Sequence, residues 1–115
     1  MKDTLKIMKA LSDEIRLRII NILYYSDLYV CEIVDILKLP QSTVSRHLTI
    51  MRHANVIEDT KDGAWVKYSI IKNDSYKSII KNIVEKELIN DKALINDIES
   101  LKIRMKDTIG CKGKC

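Results

Sequence analysis

Phenylalanine is absent from this 115-residue chain, and one Trp and five Tyr are its only aromatic residues. The core must therefore be aliphatic, built from Ile, Leu and Val. A single Pro and three Gly leave little material for turns, which points to a mostly helical protein. No apolar run approaches the ~20 residues that span a bilayer. The N-terminus does not read as a secretion signal, because Asp3, Lys6 and Lys9 interrupt it. A cytoplasmic protein with no membrane partner is expected. No Cys-x-x-Cys pair or glycine-rich phosphate loop occurs, and no acid, base and nucleophile constellation stands out, so an enzyme is not expected. A thiol enzyme or metal carrier on a helical scaffold is the remote alternative. In a reducing compartment the three Cys read as thiols or metal ligands rather than structural disulfides.

A hydrophobic share of 46% and a charged share of 31% are those of one globular domain. The net charge of +4 is mild and uneven. Residues 1–40 carry six basic and six acidic groups, 41–71 four and three, and 72–115 ten and seven. Such a balance permits nucleic-acid binding without arguing for it. The pattern along the chain is more specific than its charge.

Leu5, Met8 and Leu11 recur at helical spacing. Ser12 is read as the N-cap of a second helix, with Asp13 and Glu14 at its positive end and Ile15, Ile19, Ile22 and Leu23 on one face. A shorter helix follows over about Val30 to Leu37. Pro40 then marks the start of another, from about Gln41 to Ala54, which Asn55 stops in a left-handed conformation. Val56-Ile57 and Trp65 to Ile70 are strand-forming, and Asp62-Gly63 between them signals a hairpin. Beyond Asn73 the chain is helical again. Tyr76, Ile79, Ile80, Ile83 and Val84 form one stripe, and Leu94, Ile98, Leu101 and Met105 another at coiled-coil-like spacing. Asn90-Asp91 either breaks this region into two helices or lies within one long helix. Residues 1–107 read as the folded domain, and 108–115 as a flexible tail bearing Cys111 and Cys115.

The segment from Gln41 is the informative one. It must bury Val44, Leu48 and Met51, at i, i+4 and i+7, which turns Ser42, Thr43, Ser45 and Arg46 outward near its N-terminal end. Short hydroxyls let a helix approach base edges and phosphates, and Arg takes a bidentate grip on guanine. The hairpin beyond it would carry Lys61 to Ala64 to the side. Helix, short helix, Pro-containing turn, polar-faced helix and hairpin together make a winged helix-turn-helix that binds double-stranded DNA.

Ala10-Leu11-Ser12-Asp13, Arg16-Leu17-Arg18-Ile19, Gln41 to Leu48 and Asp62 to Tyr68 resemble the ArsR/SmtB family of metal-responsive repressors, over roughly residues 5–71. The resemblance implies a homodimer through the first and last helices, with the Gln41 helix in the major groove of an operator and no cofactor required for DNA binding. It makes Gln41, Ser42, Thr43, Ser45, Arg46 and His47 the contact candidates on that helix. His53 is a weaker one. Ala64 stands where the family's wing tip commonly carries a basic residue, so Lys61 and Lys67 are the candidates there. Trp65 reads as hairpin packing. The zinc and nickel site of this family uses His on the last helix, and no His follows His53, so that site cannot be assembled. The arsenic-sensing branch carries three thiols near the start of the third helix. Here only Cys31 remains, with Tyr29 and Val34 at the other two positions. Cys111 and Cys115 would complete a three-thiolate set with Cys31, which makes As(III) or Sb(III) the expected inducer. Cadmium, lead or copper(I), or a thiol-redox signal, are the alternatives.

Overall fold

The computed structural model describes residues 1–106. Helix α1, Lys2–Leu11, turns Ile7, Ala10 and Leu11 into the core. Helix α2, Glu14–Tyr25, is capped by Asp13 rather than by Ser12. Ser12 closes α1 by returning its N–H to the Lys9 carbonyl. Asp13 has extended backbone and accepts the Arg16 N–H at 3.1 Å. A carboxylate there answers both the unpaired N–H groups and the positive end of the helix.

Helix α3, Val30–Leu37, has the expected bounds, with Glu32 accepting the Tyr29 N–H at 2.9 Å at its start. Lys38, with a left-handed φ of 56°, ends it. After Leu39 and Pro40, helix α4 runs Gln41–His53 and buries Val44, Leu48 and Met51 completely. Asn55 adopts the left-handed φ of 59° foreseen for it.

Strands β2, Ile57–Asp62, and β3, Trp65–Ile70, form the hairpin, in register from Ile57 opposite Ile70 to Asp62 opposite Trp65. The turn is Gly63-Ala64, one residue beyond the Asp62-Gly63 of the sequence reading. Gly63 supplies a φ of +65° that a side chain would strain. A two-residue strand β1, Leu28–Tyr29, pairs with β3, which gives the sheet order β1-β3-β2.

Asn73 caps helix α5, Asp74–Asn82, by accepting the Ser75 and Tyr76 N–H groups. A π-helical turn, Ile83–Glu87, follows. The chain then breaks, and Asp91 accepts the Ala93 and Leu94 N–H groups at the start of helix α6, Lys92–Lys106. There are two helices here, not one. Leu94 and Leu101 are buried, with Ile98 partly so, and α6 packs on α2 and α3. The stripe with coiled-coil-like spacing is thus largely consumed within the chain. Among the described residues, no helix is long and apolar enough to cross a membrane. The mostly helical, winged helix-turn-helix architecture expected from sequence is what folds.

Candidate nucleic-acid interface

Burying Val44, Leu48 and Met51 against the neighbouring helices sets the rotation of α4. Gln41, Ser42 and Arg46 are exposed and Thr43 and Ser45 half-buried, so the N-terminal outward side is open. Thr49 folds back to donate to the Ser45 carbonyl at 3.0 Å. Arg46 makes no ion pair among the described residues, whereas Arg52, further along, lies 3.6 Å from the Asp59 carboxylate. Of the two α4 arginines, Arg46, nearer the helix start, is the one with no carboxylate partner among the described residues.

His47 is placed elsewhere than its sequence reading supposed. It is 5% exposed and faces α2, not solvent. Arg16 reaches it from α2, with Nη1 at 3.1 Å from His47 Nδ1, while Arg16 Nε donates to the Ala10 carbonyl at 2.6 Å. A guanidinium can only donate, so Nδ1 accepts and the ring is neutral, with its proton on Nε2. The Asp13 carboxylate is 3.9 Å from Nδ1, too far for a hydrogen bond. Burial pushes the His47 pKa below its ordinary 6.5 and outweighs the pull of Asp13, and the Arg16 and Arg46 charges push the same way. Burial tends to raise the Asp13 pKa, but the Arg16 N–H and the Arg16 charge hold it low. His47 therefore orients α4 from within.

A pH dependence follows. The unfolded chain binds a proton at His47 that the folded chain refuses. The stability tied to neutral His47 is therefore full above pH 6.5 and declines as the pH falls toward the lower folded-state value. Thermal unfolding between about pH 7.5 and about pH 5.5 should show a larger drop in midpoint for the wild type than for His47→Gln, whose amide also accepts from Arg16. Equal drops would mean that this imidazole is not kept neutral by the fold.

On the wing, Lys61 is exposed beside the hairpin tip. Lys67 is half-buried, with its ammonium 5.4 Å from the centre of the Tyr29 ring. The Tyr29 hydroxyl donates to the Asp62 carboxylate, so Tyr29 joins the wing to the start of α3. No pattern in the sequence signals this link. Tyr29 figured there only as a substitute for a thiol, and a two-residue strand is too short to show alternation. Asp13 and Arg16 were likewise unassigned as supports of α4.

Cys31 lies half-buried in the first turn of α3 and is disulfide-bonded, where a free thiol was expected. Cys111 and Cys115 lie outside the described residues. Among the described residues, no three His, Cys, Asp or Glu side chains are grouped to hold a metal ion.

Residues 13–59 match the family model described as "Bacterial regulatory protein, arsR family". An uncharacterised HTH-type transcriptional regulator from Methanocaldococcus jannaschii is 41% identical over 70% of this chain and 90% of its own length. The transcriptional repressor PagR of Bacillus anthracis is 42% identical over 70% of this chain and 81% of its own. Its crystal structure superposes with a TM-score of 0.64, covering 71% of this chain and 93% of that one. A Staphylococcus aureus homologue of the cadmium resistance regulatory protein CadC is 31% identical over 78% of this chain and 71% of its own.

Proposed function

The chain belongs to the arsR family of bacterial regulatory proteins and is a transcriptional repressor, and we propose that it grips its operator as a homodimer and releases it when its thiols ligate arsenite or antimonite. The observation that carries the DNA reading is the open side of α4. Gln41, Ser42, Thr43, Ser45 and Arg46 enter the major groove, Lys61 and Lys67 serve the wing, and His47 holds the helix in place. No cofactor takes part in this contact. Two protomers set their α4 helices about one DNA turn apart. Exposed Leu5 and Met8 on α1 and Ile95 and Ile103 on α6 supply the apolar surface for that pairing.

The inducer reading rests on Cys31. It lies in the first turn of α3, the helix directly before α4, and must be reduced from its disulfide before it can serve as a ligand. Trivalent arsenic makes three bonds around a lone pair, and Cys31 with Cys111 and Cys115 provide that number of thiolates. Ligation would bind residues 108–115 to α3 and shift it against α4.

Two observations favour related readings. The disulfide at Cys31 favours a thiol-redox response. The relative named for cadmium resistance favours a larger thiophilic cation. Titrating operator-bound protein with arsenite, a cadmium salt and an oxidant in parallel separates them. Release at the lowest concentration by arsenite is the expected result. Release by oxidant alone would replace the metalloid with a redox signal, and no release by any of the three would overturn the thiol reading while leaving operator binding intact.

A further inference from the structure

Two arginines of α2 each hold a buried polar residue of another helix. Arg16 holds His47 of α4, as described. Arg18 holds Asp97 of α6, which is 3% exposed. The fork is complete: Arg18 Nε donates to Asp97 Oδ2 and Nη2 to Oδ1, both at 2.9 Å. Nη2 also donates to the Leu37 carbonyl at 3.2 Å.

That carbonyl belongs to the last turn of α3, where no intrahelical N–H remains to satisfy it. Next come left-handed Lys38, then Leu39 and Pro40, and then α4 begins. This is the turn that sets how the two helices of the motif meet. A charge-assisted hydrogen bond at its first carbonyl ties that turn to α2. Asp97 keeps the guanidinium aimed at it. Without the carboxylate, an Arg side chain that is 22% exposed is free to swing toward water. The family match includes Arg18 and Leu37 but ends before Asp97, so α6 adds a hold that the matched core does not contain.

We infer that Arg18 and Asp97 are positioning residues for operator binding, through which α6 sets the α3–α4 turn. The inference rests on operator binding and is independent of the inducer. The plainer possibility is that the pair only fastens α6 to α2, as the Asn21 side chain also does by donating to the Leu94 carbonyl at 3.5 Å.

The double variant Arg18→Met, Asp97→Leu separates the two roles. It removes both charges together and replaces them with apolar groups, a change that buried pairs commonly tolerate. Thermal midpoint and operator affinity are measured on the full chain. The expected result is a midpoint at or near that of the wild type with operator affinity down ~10-fold. Leu94→Ala supplies the comparison: it loosens α6 without touching the pair, and should lower the midpoint while leaving affinity unchanged well below it. A double variant that binds operator within about twofold of the wild type would overturn the inference. If that variant does not fold, the isosteric Asp97→Asn decides, and wild-type affinity there overturns the inference equally. Wild-type protein without operator affinity would sink the operator reading itself, a different outcome from either.

Discussion

Arg46→Ala should weaken operator binding by ~30-fold to ~10⁴-fold while leaving the thermal midpoint within experimental scatter. A bidentate Arg–guanine contact discriminates by ~1–3 kcal/mol. A homodimer makes the contact in each half-site, so ~2–6 kcal/mol is at stake, and every 1.4 kcal/mol is about tenfold. Stability should not change because Arg46 is exposed and forms no ion pair among the described residues. The measurement is a fluorescence-anisotropy titration at fixed salt against operator and scrambled duplexes, beside a thermal melt. A base contact is lost mainly on the operator, so the ratio between the two duplexes should collapse. Lys61→Ala should instead weaken both duplexes alike and flatten the salt dependence, as a phosphate contact does. If Arg46→Ala weakened both equally, Arg46 would touch only the backbone, and sequence reading would pass to Gln41, Ser42 and Ser45.

The helix carrying Arg46 was legible because its packing obeys a simple period. Val44, Leu48 and Met51 had to share a face, and that alone determined where Ser42 and Arg46 would point. The bounds of α3 were legible for the same reason, since Val30, Ile33 and Leu37 repeat at helical spacing. His47 and Asp97 were not, and the cause is common to both. Each stands within an apolar stripe, His47 between Val44 and Met51 and Asp97 between Leu94 and Leu101, at spacings of three and four. A polar residue in such a place is buried only if a partner arrives from elsewhere in the chain. The partners, Arg16 and Arg18, lie 31 and 79 residues away and enter the sequence reading only through the Arg16-Leu17-Arg18-Ile19 resemblance, with no partner assigned to either. A polar residue within a helical stripe, with arginines two apart on a neighbouring helix, is the signal that sequence reasoning passed over. The cap of α2 was missed more simply. Ser12 and Asp13 both suit the position, and the choice turned on which of them was already occupied in closing α1.

Cys31→Ser should leave operator affinity within about twofold of the wild type and abolish release by arsenite, the second large effect. The coupling between an inducer and DNA is typically ~1–3 kcal/mol, so the wild type should lose ~5-fold to ~150-fold in operator affinity when arsenite saturates it, and the variant almost nothing. Operator affinity should hold because Cys31 belongs to α3, on the opposite side of the helix-turn-helix turn from Gln41 to Arg46, and serine keeps the size of the side chain. Loss of release should be complete because two thiolates leave a trivalent centre one bond short. Cys111→Ser and Cys115→Ser report on the other two ligands. Each should impair release as Cys31→Ser does if all three close one site, and neither should matter if Cys31 acts without them. By linkage the coupling runs both ways, so operator DNA must weaken arsenite binding by the same factor. Measuring arsenite affinity with and without operator tests the mechanism independently of gel mobility. If arsenite bound equally well in both states, ligation could not drive release, however tightly the thiols held it.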